Sequence, residues 1–182
     1  EGFRKIVRSW GEGDFKDIMA GVDQLIERGL ADPDRLGVMG ASYGGFMTLW
    51  IVGHTNRFKS AVAQRSVTNW VSMWGSSDFN LFFQFWAKSG SPQESMDKLW
   101  NMSPVKYLGE TKTPTLIIHN EHDHRCPIEQ GEQAFVALKR AGVETEFVRF
   151  PEEPHGLSRV GRTDRRIARL NHILRWMDMY LK

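Results

Sequence analysis

The sequence contains a single cysteine, Cys126, among its 182 residues. One cysteine cannot form an internal disulfide, so a small secreted domain held together by disulfides is excluded. The lack of a cysteine pair also fits a reducing compartment, and we therefore expect a cytoplasmic protein.

Long apolar runs and a strong charge of one sign are also missing. The longest apolar stretches, such as Phe46–Val52, fall far short of the roughly 20 residues that cross a bilayer. Residues 1–10 contain no apolar core of a signal peptide. Lys and Arg number 24 against 22 Asp and Glu, and the net charge of +2 gives no broad field for nucleic acid or an anionic membrane. We therefore expect no membrane anchor and no nucleic-acid partner.

The hydrophobic pattern alternates between helical and extended spacing, without an internal repeat or a low-complexity tract. The segments that read as strands are Arg35–Met39, Phe58–Gln64, Thr115–His119 and Glu144–Phe150. The segments that read as helices run from Asp14, as N-cap, to Gly29, from Gly44 to Thr55, from Pro127 to Gly142 and from Thr163 to Leu181. Such alternation is typical of a parallel sheet with helices on both faces, so we expect one α/β domain.

A G-x-S-x-G motif lies between the first predicted strand and the second predicted helix, at Gly40-Ala41-Ser42-Tyr43-Gly44. A serine on so sharp a turn exposes its hydroxyl above the sheet, and small residues at Gly40 and Gly44 let strand and helix approach. The N–H of Tyr43 would then face an oxyanion at the positive end of the helix dipole. A glycine-rich turn with a purely structural role is the alternative interpretation.

A serine nucleophile needs a histidine to accept its proton and a carboxylate to orient that histidine. Asp123 follows the strand that ends at His119, and His155 follows the strand that ends at Phe150. These loops lie at the carboxyl ends of strands, where catalytic groups collect in such sheets. Three further carboxylates compete with Asp123 for the orienting role: Glu121, Glu152 and Glu153.

Several segments together resemble the prolyl oligopeptidase family of serine hydrolases, most closely its acylaminoacyl-peptidase-like branch. They are Gly40–Gly45, Gln64–Trp70, Thr113–His119, Asp123–Glu129, Phe147–Pro151 with His155, and Arg169–Trp176. The resemblance implies an α/β-hydrolase fold and a triad of Ser42, Asp123 and His155. It also implies an enzyme that needs no cofactor and cleaves peptide bonds or small acyl esters through an acyl-enzyme on Ser42.

The sequence also departs from that family, because nothing in it matches the β-propeller and the first strands that precede this segment in family members. Those strands supply a second oxyanion donor, and losing one such donor typically costs about 2.7–4 kcal/mol of transition-state stabilisation. They would also cover the strand Arg35–Met39, and an open apolar edge invites pairing with another chain. We therefore expect a homodimer through this edge, or a fragment of a longer protein that is catalytically weak or inert and folds with a partner.

The substrate pocket is expected among the aromatic residues of segment 66–113, whose irregular pattern we do not divide into helices and strands. Trp70, Trp74, Phe82 and Phe83 are assigned to it, although each ring could equally pack in the core. Arg125 matches a family position where an arginine contacts a substrate carbonyl, and a surface ion pair is its alternative role.

A metal site is the rival to the triad, because His119, His122 and His124 cluster around Asp123. The spacing matches a metallo-hydrolase signature only loosely, and His119 lies on a buried strand whose side-chain direction need not match that of the loop. We therefore expect no metal.

Overall fold

The computed structural model describes residues 10–81 and 90–182. Within these ranges four parallel strands form one sheet in the order β1-β2-β3-β4. Their bounds are Gly37–Ala41 (β1), Ser60–Gln64 (β2), Thr115–Asn120 (β3) and Thr145–Phe150 (β4). The prediction of an α/β fold with a parallel sheet is confirmed, and the predicted strands lie within two residues of the observed ones at their ends.

Helices precede, connect and follow these strands. They are Gly13–Glu27 (α1), Tyr43–His54 (α2), Trp70–Ser76 (α3), Pro92–Asn101 (α4), Ile128–Arg140 (α5), Leu157–Val160 (α6) and Thr163–Leu181 (α7). Two 3₁₀ turns, Pro104–Lys106 and Leu108–Glu110, precede β3. The segment that the sequence left undivided therefore holds short helices. No helix in the described ranges is long and apolar enough to cross a membrane.

The core lies on both faces of the sheet, because alternate residues of a strand point to opposite sides. On one face Ala61, Ala63 and Ile117 pack with side chains of α2 and α5. On the other face Val62, Leu116 and Ile118 pack against α6 and α7. All six residues of β3 are buried, as expected of a central parallel strand.

Strand β1 is the outer strand of the described sheet at one end. It pairs with β2 alone, and Met39 on it is 56% exposed. The sheet edge that the sequence expectation identified is therefore open among residues 10–81 and 90–182.

The predicted N-cap role of Asp14 is wrong. Helix α1 begins at Gly13, so Asp14 lies inside its first turn. Its carboxylate is buried, where it accepts hydrogen bonds from the N–H of Phe15 and from the hydroxyl of Tyr43. The sequence predicted that this side chain caps its own helix, but it bonds instead to Tyr43, 29 residues away.

Candidate active site

Ser42 occupies a strained turn between β1 and α2. Its φ and ψ are 61° and −120°, which is a conformation that L side chains rarely adopt. The N–H of Ser42 donates to the carbonyl of Gln64 at the end of β2 (3.0 Å), and its carbonyl accepts from the N–H of Phe46 (2.9 Å). The turn is therefore held from the neighbouring strand and from the first turn of α2.

Glycines let β1, α2 and the end of β2 approach each other closely at this turn. They are not all the glycines that the sequence indicated. A Cβ on Gly40 would overlap the carbonyl of Gly44, and a Cβ on Gly45 would lie 2.6 Å from the carbonyl oxygen of Gln64. A Cβ on Gly44 would meet nothing within 4 Å. Gly40 and Gly45 are therefore the positions with no room for a side chain, and the steric role expected of Gly44 is wrong.

The structure brings Ser42, His155 and Asp123 into one hydrogen-bonded chain. The Oγ of Ser42 lies 2.9 Å from Nε2 of His155, and Nδ1 of His155 lies 2.7 Å from Oδ2 of Asp123. The arrangement suits the tautomer in which Nδ1–H donates to the carboxylate and Nε2 accepts from the serine hydroxyl. Residues 113 positions apart thus meet above the carboxyl edge of the sheet.

Asp123 is buried, with 2% of its surface exposed, and its second oxygen is also satisfied. Oδ1 accepts from the backbone N–H of Arg125 (3.0 Å) and from that of Cys126 (2.9 Å). These donors belong to the turn between β3 and α5, so the local backbone itself orients the carboxylate towards His155.

The two loops are also tied to each other. The side-chain amide of Asn120 donates to the carbonyl of Pro154 (2.7 Å), and the N–H of His122 donates to the carbonyl of Glu153 (3.1 Å). Because β3 and β4 are parallel neighbours, their carboxyl ends meet at one edge, and these contacts fix the distance between the loops.

The three competing carboxylates have other partners. Glu121 pairs with Arg149 (3.0 Å), and Glu152 pairs with Arg165 (3.3 Å). Glu153 is buried and accepts from the N–H of Arg162 (3.2 Å). Of the four carboxylates, only Asp123 contacts the ring of His155.

A small cavity opens beside this chain of residues. Its volume is about 160 Å³, and it is lined by Ser42, Tyr43, Val67, Trp70, Phe79, Arg125, Cys126 and His155. Trp70 therefore lines a cavity beside Ser42, and its contact with a substrate stays a prediction. Trp74 does not line the cavity, because it lies one turn farther along α3, and Phe82 and Phe83 lie outside the described residues.

Sequence reasoning missed three residues that line this cavity: Val67, Phe79 and Cys126. Cys126 follows the aspartate loop by only three residues, and that proximity was the available signal. Burial raises the pKa of its thiol, so the group stays protonated beside Ser42.

The ion pair expected as the alternative role of Arg125 is present, and its contact with a substrate carbonyl stays a prediction. Its Nε donates to Asp78 (2.7 Å), and its guanidinium lies 4.2 Å from the ring centroid of Phe79. The same side chain lines the cavity beside Ser42.

The histidines around Asp123 do not converge on one point. His119 is fully buried, with Nε2 hydrogen-bonded to the carbonyl of Cys126 (2.7 Å), whereas His122 and His124 are exposed. Burial lowers the pKa of His119, which favours its neutral form. Among residues 10–81 and 90–182, no group of three His, Cys, Asp or Glu side chains is placed to hold a metal ion.

Known proteins are similar to this chain in sequence or in fold. A peptidase of Bacillus subtilis, described as uncharacterized and named YuxL, is 54% identical over 173 residues, which are 94% of this chain and 26% of that protein. The acylamino-acid-releasing enzyme of Arabidopsis thaliana is 37% identical over 180 residues, which are 94% of this chain and 23% of the enzyme. The chain thus spans about a quarter of the length of these relatives.

Among solved structures, the acylaminoacyl peptidase of Pyrococcus horikoshii superposes with a TM-score of 0.94 at 29% identity. The superposition covers 98% of this chain and 30% of the archaeal one. The model of the prolyl oligopeptidase family matches residues 1–182. With the match over its whole length, this chain belongs to the prolyl oligopeptidase family.

Proposed function

We propose that this chain carries the catalytic residues of a serine peptidase that cleaves acylaminoacyl or oligopeptide substrates, with small acyl esters as further substrates. The observation that carries the proposal is the hydrogen-bonded chain from Ser42 through His155 to Asp123. The names of the relatives from Arabidopsis thaliana and Pyrococcus horikoshii, which refer to acylamino acids and acylaminoacyl peptides, support the substrate class.

The proposed reaction proceeds through an acyl-enzyme. His155 Nε2 accepts the hydroxyl proton of Ser42 while Oγ bonds to the carbonyl carbon, and the electron pair of the C=O bond moves to oxygen. When this intermediate collapses, the bond to the leaving nitrogen or oxygen breaks and His155 returns the proton to it. Water then repeats the sequence on the ester and frees Ser42.

Asp123 and Tyr43 complete the proposed machinery. The Asp123 carboxylate holds the tautomer of His155 and stabilises the imidazolium that forms. Tyr43 is the first residue of α2, so its N–H has no acceptor within the helix and is available to the oxyanion.

The lining of the cavity beside Ser42 favours binding of an apolar acyl group. Val67, Trp70 and Phe79 present hydrocarbon surface, and burial of such surface contributes about 25 cal/mol per Å². The volume of about 160 Å³ suits one side chain next to the scissile carbonyl. We expect substrates with a bulky apolar residue at this position to be preferred over those with a charged one.

Labelling by a fluorophosphonate probe, read by intact mass, tests the proposal. We expect one probe per chain on the wild type and none on Ser42→Ala. The matched control is Ser76→Ala, which removes an exposed serine hydroxyl on α3 and should leave the labelling intact. A folded wild type that takes up no probe would contradict an assembled triad and favour the inert alternative.

We also propose that two copies pair along the open edge of β1. The exposure of Met39 and the absence of a second partner strand among the described residues support this. Light scattering over a range of concentrations measures the mass. A constant monomer mass would overturn the dimer.

We propose a cytoplasmic location, because the single cysteine forms no internal disulfide. Fractionation of the source cells with an antibody against the chain measures its distribution, and recovery outside the cytoplasmic fraction would contradict the proposal.

A further inference from the structure

A second cleft lies beside His155, across Arg125 from the apolar cavity. Its volume is about 280 Å³, and its lining includes Asp78, His122, His124, Arg125, His155 and Arg159. We propose that this cleft binds a carboxylate of the substrate, on the acyl side of the scissile bond. The inference rests on the proposed peptidase function and adds a charge preference to it.

The cleft carries a net positive charge, because the guanidinium of Arg159 has no carboxylate partner in the described part of the chain. Among the residues that the structure describes, Asp78 is the one acidic residue in the lining, and it is already paired with Arg125 through a contact of 2.7 Å. Arg159 makes no ion pair within the described part of the chain, and its side chain is exposed. A carboxylate in the cleft would give Arg159 a partner of opposite charge.

Two imidazoles add hydrogen-bond donors to this charge. His122 and His124 flank the buried Asp123 in sequence, and both are exposed in the wall of the cleft. A neutral imidazole donates one N–H and a protonated one donates two, so either form can bond a carboxylate oxygen.

Arg65 is a further arginine close to Arg159. Burial lowers the pKa of Arg65, and the nearby positive charges of Arg169 and Arg159 lower it further, while the charge of Asp123 opposes this shift. The Nε of Arg65 has no hydrogen-bond partner among the described residues. Arg65 thus lies close enough to Arg159 for their positive charges to repel, and an anionic substrate group near Arg159 would reduce that repulsion.

The acyl side follows from the two residues that the cavities share. Arg125 and His155 line both the apolar cavity and the cleft. We place the side chain of the residue before the scissile bond in the apolar cavity. The substrate backbone then continues past Arg125, and the residue that precedes it in the substrate enters the cleft. A glutamate at that preceding position would reach Arg159.

The test compares two fluorogenic coumarylamides, acetyl-Glu-Phe and acetyl-Gln-Phe, which differ by one charge at nearly constant shape. The enzyme is expressed with any sequence that adjoins this chain in its gene. We expect kcat/KM to be about fivefold higher for the glutamate substrate, as one partly solvated charge pair allows. About 1 M salt should reduce this ratio, because it screens exposed charges.

Arg159→Gln should bring the ratio close to one. The matched control is Arg166→Gln, which removes the same charge from an exposed position on α7 outside the cleft and should leave the ratio at its wild-type value. A wild-type ratio near one, or a ratio that Arg159→Gln does not change, would overturn the proposal.

A second substrate pair separates the two sides of the scissile bond. Acetyl-Phe-Gly and its C-terminal amide differ by a carboxylate on the leaving group. If Arg159→Gln changes the discrimination within this pair and not within the first, the acyl-side assignment is wrong. Absence of both probe labelling and hydrolysis would instead refute the proposed function, and the subsite with it.

Discussion

The hydroxyl of Tyr43 donates a hydrogen bond to the buried carboxylate of Asp14, which ties the turn that carries Ser42 to helix α1. The ring of Tyr43 also contacts those of Trp10 and Phe46, with centroids 5.7 and 5.3 Å apart. The residue whose N–H we assign to the oxyanion is therefore held by its side chain as well as by its helix.

Tyr43→Phe should lower the free energy of unfolding by about 1–3 kcal/mol, because the buried Asp14 carboxylate loses a donor. Urea denaturation measures the loss. Tyr107→Phe is the matched control, since the hydroxyl of Tyr107 donates to the carbonyl of Asn101 in an exposed setting. Equal losses in the two variants would show that the hydrogen bond to Asp14 contributes no more to the free energy of unfolding than an exposed one.

The same contact makes stability depend on alkaline pH. Burial, with the Asp14 carboxylate, raises the pKa of the Tyr43 phenol above its ordinary value of 10.0. The contribution of the Tyr43 phenol to the free energy of unfolding is therefore complete below the pKa of the unfolded chain. It is lost as the pH rises above about 10, where only the unfolded phenol ionises. The difference in unfolding free energy between wild type and Tyr43→Phe should be constant below that pH and shrink above it. A difference that grows there would contradict the raised pKa.

Asp123→Asn should lower kcat by about 10⁴-fold, because an amide does not hold the productive tautomer of His155. Steady-state hydrolysis of a good ester substrate measures the loss, and circular dichroism checks the fold. Glu121→Gln is the control, since Glu121 contacts Arg149 rather than His155. An unchanged kcat in Asp123→Asn would contradict the assignment of Asp123, and an equal loss in the control would show that the effect is not specific to it.

Gly45→Ala should destabilise the protein by about 1–3 kcal/mol, because the new Cβ would overlap the carbonyl of Gln64 and the Cα of Ser66. Gly44→Ala has open space and a helical position, so it should leave stability unchanged or raise it by up to about 1 kcal/mol. Thermal unfolding of the two variants gives the comparison. The reverse order would contradict the packing of the turn.

Gln130→Leu should loosen the wall of the apolar cavity. The fully buried Oε1 of Gln130 accepts from the N–H groups of Thr68 and Asn69 (2.7 and 2.8 Å), directly before Trp70. Loss of this acceptor should cost about 1–3 kcal/mol of stability and reduce the preference for bulky apolar acyl groups.

Substrate series with alanine or phenylalanine next to the scissile bond measure the second effect. Gln133→Leu removes contacts to the side chains of Asn69 and Ser72 but to no backbone N–H, so it serves as the control. If Gln130→Leu leaves the preference for phenylalanine over alanine unchanged, Gln130 does not shape the cavity.

The sequence by itself determined the four strands, the helices α1, α2, α5 and α7, and the loops that carry Ser42, Asp123 and His155. Such features are local, because the hydrophobic period of a segment and the glycines around a serine are legible within a few residues. The same locality explains why the strand ends shifted by up to two residues, since hydrogen bonds to neighbouring strands set them.

Only the tertiary structure decided which carboxylate meets His155, which glycine lies against Gln64, and that Asp14 bonds Tyr43 rather than capping α1. Each of these is a contact between residues that the chain separates widely, as between Asp123 and His155, 32 positions apart. Four carboxylates in two adjacent loops look alike in sequence, and the register of β3 against β4 selects one of them. The lining of both cavities depends in the same way on how the loops after β2, β3 and β4 pack together.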